Sequence, residues 1–440
     1  MDAMSASGPS WCIIGGGMVG LTLAHRLSQR GCAVALYEAA PELGGLASAW
    51  TLGEVTWDRH YHVTLLSDTS LRRILTEIGL EEEMQWVITR TGCYTDGQLY
   101  SVSNALELLR FPPLGLLDKL RLAGSIAYAA QVKNWRALER VPVSEWLTSL
   151  SGKRTFERFW LPLLRAKLGD NWRLTSAAFI WATIARLYAA RRSGLKREMF
   201  GYVPGGYARI LQRFRERLVE RGVQFHLATP VARLDRIPEG GVRVLLPSGE
   251  ERRFDRAVIT LAAPLAARLC PGLDPDELER LRGVRYQGIV CASVLLDEPL
   301  AGYYVTNITD GWVPFTGVIE MSALVDPRHF GGRHLVYLPK YVPEGDPFLQ
   351  VPEDELRERF LSALERMYPH FRRTQVRAFR VSRVSHVCAI PTIGYSDRLP
   401  PIATTTPGLY LLGSAHIVNG TLNVNEGVRL VERALKEVLW

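Results

Sequence analysis

The stretch Trp11–Ala47, WCIIGGGMVGLTLAHRLSQRGCAVALYEAAPELGGLA, decides how the rest of the chain is read. It opens on WCIIG, a short apolar run of the kind that forms a strand buried on both faces. Gly15, Gly16 and Gly17 follow, then Met18, and Gly20 completes a G-x-G-x-x-G spacing from Gly15. From Met18 to Arg30 the apolar residues Val19, Leu21, Leu23, Ala24 and Leu27 recur at helical spacing. CAVALYE then reads as a second apolar strand ending on Glu38. Strand, glycine turn, helix, strand and acid is the order in which a glycine-rich loop holds a dinucleotide. Gly15 permits the tight turn, Gly17 lets a pyrophosphate approach the backbone, and Gly20 lets the helix pack close to the strand. The helix N-terminus offers free N–H groups and a favourable dipole to the phosphates. Glu38 lies 18 residues beyond Gly20, where a carboxylate accepts from ribose hydroxyls and repels a 2′-phosphate.

The bulk of the chain sets wider bounds. Its 440 residues exceed one ordinary core, so two intertwined domains are expected. An apolar content of 47% and a charged content of 22% are globular values. The net charge of +8 favours anionic ligands or surfaces without selecting one. The arginines are dispersed and no nucleic-acid-binding motif is present, which argues against nucleic acid as a partner. Six cysteines without a C-x-x-C pair argue against zinc ribbons, iron–sulfur sites and thioredoxin chemistry, so no metal site is expected. They fit a reducing, cytoplasmic setting. MDAMSASGPS lacks the basic segment of a secretory signal. The apolar run Leu120–Val132 is interrupted by Arg121 and falls short of the roughly 18 to 20 residues a membrane span needs.

A second glycine pair, Gly44-Gly45 in PELGGLAS, lies six residues past Glu38, where a site for NAD alone has no need of it. This stretch resembles the second glycine motif of the amine oxidase, phytoene desaturase and protoporphyrinogen oxidase superfamily of FAD enzymes. Many members write it R-x-G-G-R. Glu42 and Leu46 stand at the arginine positions here, which argues against amine oxidase activity specifically. DRHYHVTLLSD, WLPLLRAKLGD, GYVPGGYARI and PFTGVIEMSALVDPRHF are similar to a bacterial branch of the superfamily, and the resemblance runs over about residues 10–437. It implies an α/β fold: a discontinuous Rossmann-like FAD-binding domain at 8–50, 199–264 and 401–440, interleaved with a mixed α+β substrate domain. The substrate domain comprises a helical segment at 51–198 and a strand-rich segment at 265–400. The latter carries one clear helix at EDELRERFLSALERM. The resemblance also implies that FAD contacts Gly15, Gly16, Gly17, Met18, Gly20, Glu38, Gly44, Gly45, Leu46 and Ala47. It places the Val231 backbone at the adenine, and Gly413 and Asn425 on the flavin side. Where most members have an acid after that glycine, this chain has Ser414-Ala415-His416.

The chemistry implied is hydride transfer from a C–C or C–N bond to flavin N5, and the apolar, aromatic substrate segments suggest a hydrophobic or lipid-linked small molecule. Two catalytic candidates emerge. His62, in the His60-Tyr61-His62 run, is an acid or base of suitable pKa, with a loop-holding histidine as the plainer reading. Lys340, in YLPKY, matches a lysine that the resemblance places near flavin N5, with a strand-end surface lysine as the plainer reading. His416 and Asn419 are either ring contacts or loop caps. Lys167 and Asp170 read as structural. The basic run RRSGLKRE at 191–198 reads first as a solvated helix end and second as a dock for anionic lipid. Two rival functions stay open: a redox-neutral mutase, since HYHVTLLSD is similar to the His-rich loop of UDP-galactopyranose mutase, and a lipid carrier of the dissociation-inhibitor type. Peripheral contact at the inner membrane face and the oligomeric state are left open.

Overall fold

A computed structural model describes residues 8–192, 199–418 and 421–439. The elements that matter for the site begin with β1 (Ser10–Ile14), α1 (Met18–Gln29), β2 (Ala33–Tyr37), β3 (Val55–Asp58) and α2 (Thr69–Glu77). The middle of the chain contributes α3 (Leu116–Ala129), α4 (Leu161–Leu168), α5 (Gly206–Glu220), β4 (Gln224–His226) and β5 (Arg256–Ile259). The remainder supplies β6 (Tyr286–Leu296), β7 (His334–Pro343), α6 (Glu353–Met367), β8 (Val376–Ala389), β9 (Leu409–Leu411) and α7 (Val424–Ala434).

A five-stranded parallel sheet in the order β4-β2-β1-β5-β9 draws its strands from three separated stretches of chain. Strand β1 is its central member. Trp11 and Ile13 enter one core with α1, α2, α5 and α7, while Cys12 and Ile14 enter a second core on the opposite face. A strand covered on both faces has no solvent side, which is why WCII shows no polar alternation. The second large sheet has seven strands, with β8, β6 and β7 side by side in that order. One of its faces packs on α6 through Val290, Val336, Leu338 and Val342. The other carries Ile289, Cys291, Leu335 and Tyr337 and meets Trp57 of β3.

The structure corrects the helical reading of residues 51–198. Up to Ser101 most of the regular structure is short strands, with α2 alone as a long helix. The missed signal is TDG: Asp96 and Gly97 both have positive φ, at 52° and 72°. That pair suits a two-residue hairpin turn joining Thr91–Thr95 to Gln98–Ser101. Helix α2 also sits in the nucleotide-side core, with Leu71, Ile74 and Leu75 beside α1 and α7. Among the described residues no helix is long and apolar enough to cross a membrane.

Candidate active site

The glycine loop is shaped by backbone contacts that admit no side chain. Gly15 has φ 111°, and a Cβ there would sit 2.5 Å from Thr260 Oγ1. A Cβ on Gly20 would lie 2.0 Å from the Gly15 carbonyl oxygen, so only glycine lets α1 approach β1 this closely. Gly17 begins α1 in an extended conformation with no side-chain cap. The first N–H groups of the helix are thus free for an anion. The Glu38 carboxylate accepts from Gly16 N at 2.7 Å and from Ala40 N at 2.8 Å. Each oxygen keeps a lone pair for a ribose hydroxyl.

The second glycine motif is tied to the first. Gly44 N donates to Gly16 O at 2.8 Å, and Gly17 and Gly44 form a parallel bridge. Gly44 has φ 115° and Gly45 φ 56°, a left-handed pair that carries the backbone through a short turn over Leu46 and Ala47. The edge near Val231 is placed by β4: Ala228 N donates to Ala40 O and Thr229 N to Glu38 O, both at 2.9 Å. Val231 follows three residues on and packs on the second core.

Two residues expected on the flavin side have defined roles within the protein. The Asn425 Oδ1 accepts from Ser70 N and Leu71 N at 3.0 and 3.1 Å and caps the start of α2. Gly413 is extended rather than turned, and a Cβ there would meet Leu261 O at 2.6 Å, so its lack of a side chain first serves the packing of β9's exit against β5's. His416 is a loop cap. Its Nε2 donates to Pro400 O at 3.1 Å, and its Nδ1 accepts from Gly413 N at 3.3 Å. Asn419 and residues 193–198 of the basic run lie outside the described residues.

The His60-Tyr61-His62 run leaves β3 next to the second glycine motif. His60 Nδ1 donates to Leu46 O at 3.2 Å, and its buried Nε2 has no protein partner. Ser48 Oγ and Arg59 Nε are likewise buried without a partner, and Arg59 N donates to Ser48 O. Buried polar atoms are normally satisfied. Three such atoms beside the paired glycines therefore fit a polar cofactor lying against residues 44–60. His62 Nδ1 donates to the His60 carbonyl at 2.9 Å, which leaves Nε2 as the lone-pair nitrogen. Burial pushes its pKa down to about 4, so it is a neutral imidazole. It packs 4.9 Å from the Tyr207 ring, and Nδ1 is 3.9 Å from Asp58 Oδ2. Asp58 is buried, accepts from Tyr207 N at 2.7 Å, and burial raises its carboxyl to about 8.

Lys340 is corrected outright. On β7 it shares a face with Leu338 and Val342, which pack on α6. The cofactor-side face carries Tyr337 and Tyr341 instead. Burial lowers the Lys340 pKa, but the side chain is on the wrong side of the sheet for flavin chemistry. Its neighbour Tyr341 meets two residues from elsewhere: its hydroxyl lies 2.6 Å from Tyr61 OH and 2.6 Å from Lys167 Nζ. Lys167 thus reaches across to Tyr341 of β7, while Asp170 is exposed. Sequence reasoning also missed Thr260, which donates to Ile14 O and contacts Gly15 O, clamping the glycine turn. Its signal was a lone hydroxyl ending the apolar run AVIT.

A discontinuous parallel sheet, a double glycine cradle and a deep neighbouring sheet face define a FAD-dependent oxidoreductase. The model of the flavin containing amine oxidoreductase family matches residues 18–428, and the chain belongs to that family. A zeta-carotene desaturase of Synechocystis sp. is 23% identical over 459 residues, covering 91% of both chains. A coproporphyrinogen III oxidase of Mycobacterium bovis is 26% identical over 290 residues, covering 60% of this chain and 62% of that one. A putrescine oxidase redesigned in its cofactor site superposes with a TM-score of 0.76 at 17% identity, covering 98% of both. The cofactor is FAD, and it supplies the hydride acceptor. The chain's own residues could hold it: the α1 N-terminus and glycines would receive the phosphates, Glu38 would accept from the ribose, and the unpartnered polar atoms of Ser48, Arg59 and His60 would face the bound group.

Proposed function

We propose that the enzyme takes hydride from a C–C or C–N bond of an apolar small molecule, with the accompanying proton leaving to solvent or a nearby base. The observation that carries this reading is the match to a zeta-carotene desaturase over 91% of both chains. The desaturase and porphyrinogen oxidase relatives support the same class of substrate. The test is anaerobic mixing of the FAD-loaded enzyme with zeta-carotene, coproporphyrinogen III or putrescine while the flavin absorption is followed. Bleaching by either of the first two and not by putrescine is expected. Bleaching by putrescine alone would overturn the reading. Turnover of UDP-galactopyranose only after pre-reduction would favour the mutase.

The same reading includes peripheral contact with an anionic membrane from the cytoplasmic side. One helical surface supports it: Leu106, Leu109, Leu116, Leu117, Leu120 and Tyr128 are all exposed, with Leu117 71% accessible. Arg110, Arg121, Lys133 and Arg136 are exposed around them. The acids of the region turn away: Asp118 is buried, and Glu107 accepts from Ser101 and Ser103. Leucines rimmed by cations suit an interface with anionic headgroups. Co-sedimentation with phosphatidylglycerol vesicles is expected for the wild type and lost for Leu116→Glu/Leu117→Glu. Wild-type protein that stays in the supernatant would contradict it.

A further inference from the structure

Lys167 of α4, Tyr341 of β7 and Tyr61 of the loop after β3 come from three distant parts of the chain and meet at one point. Lys167 Nζ donates to Tyr341 OH at 2.6 Å and lies 3.8 Å from the centroid of the same ring. Tyr341 OH is in turn 2.6 Å from Tyr61 OH. The ammonium is exposed and is held by a phenol rather than by a carboxylate.

Counting donors shows what this point lacks. A lysine carries three N–H donors and no acceptor, and each tyrosine one O–H donor. The two hydrogen bonds engage two of these five hydrogens, whichever tyrosine donates to the other. Two ammonium hydrogens and one phenolic hydrogen are left over. The adjacent residues add to the surplus. Gln287 lies on the same face of β6 as Ile289, which pairs with Tyr341. It is fully buried, and its Oε1 accepts from Asn171 Nδ2 at 3.0 Å, while its Nε2 has no partner. An unpartnered buried donor is costly unless a ligand satisfies it.

We propose that Lys167, Tyr341 and Tyr61 form the recognition site for an anionic oxygen group, a carboxylate or a phosphate, at one end of the substrate. Such a group is acceptor-only and matches a point with a surplus of free donors, two of them on an ammonium. The inference rests on the apolar-substrate reading above and deepens it: the substrate's apolar body reacts at the flavin and this triad takes its charged end. Burial keeps both tyrosines above their usual pKa, so they stay neutral hydroxyl donors.

The test uses the FAD-loaded enzyme and three probes of one chain length: dodecanoate, dodecyl phosphate and dodecanol. Binding is read from perturbation of the flavin visible spectrum and by equilibrium dialysis. At least one anionic probe is expected to bind about tenfold or more tightly than dodecanol, the size of a hydrogen bond to a charged group. Which of the two binds better assigns carboxylate or phosphate. Lys167→Met should erase the preference with dodecanol affinity unchanged, and Lys167→Arg should keep part of it. Tyr341→Phe and Tyr61→Phe should each shrink it about threefold to tenfold. Equal binding of all three probes, or a preference that survives Lys167→Met, overturns the triad and leaves the apolar-substrate reading standing. Failure of all three to bind overturns both.

Discussion

The nucleotide cradle and the substrate face are built from different materials. The cradle is backbone: glycines at 15, 16, 17, 20, 44 and 45, helix N–H groups, and one carboxylate that hydrogen-bonds the loop it serves. The proposed substrate face is side chains, gathered from strands and helices more than a hundred residues apart, as in the Lys167–Tyr341 pair. A backbone site tolerates no change of volume, whereas a side-chain site tolerates shape-conserving changes and answers to charge.

The largest expected effect therefore belongs to the cradle. Gly20→Val puts carbon where the Gly15 carbonyl already lies. It should abolish FAD retention and lower stability by about 1–3 kcal/mol or more through overpacking. Flavin content after purification and a thermal melt check this, and a yellow, stable variant would break the comparison. Glu38→Gln comes next. Loss of the charge in bonds to Gly16 and Ala40 and to the ribose should weaken FAD about tenfold to a hundredfold, with the fold intact. Titration of apoprotein with FAD measures it.

A smaller effect is expected at Asp58. Its folded pKa, about 8, lies above its unfolded value because burial penalises the charge. The protonated form is therefore favoured in the fold, and this contribution is fully present below about pH 4 and lost as pH rises through 8. Asp58→Asn keeps an acceptor for Tyr207 N and cannot ionise. It should gain more melting temperature relative to wild type at pH 8.5 than at pH 5, because the loss builds up progressively between about pH 4 and 8. The smallest effect is at Lys340. Lys340→Met should leave the flavin spectrum and kcat/KM within about twofold, since the side chain faces α6. A large loss of flavin reduction rate would put the lysine back at the ring.

The same contrast explains what could be read from sequence. The cradle was legible because close backbone approach demands glycine at fixed spacing, and strand, helix and acid confirm the context within 37 residues. The helix at 353–367 was legible from its own periodicity. Lys340 was misplaced because a strand turns alternate residues to opposite faces, and choosing the neighbour of Tyr341 chose the wrong face. The capping role of Asn425 was not legible because its partners, Ser70 and Leu71, lie some 350 positions away in sequence. The Lys167–Tyr341 contact was not legible for the same reason: nothing local announces a tyrosine 174 residues later.

The central claim is that the paired glycine motifs form a working FAD site. The most direct measurement is the visible spectrum of the purified protein, with chromatographic identification of the released cofactor. The account predicts an oxidised flavin spectrum and about one FAD per chain. A colourless protein that takes up no added FAD, or one that releases FMN, would contradict it.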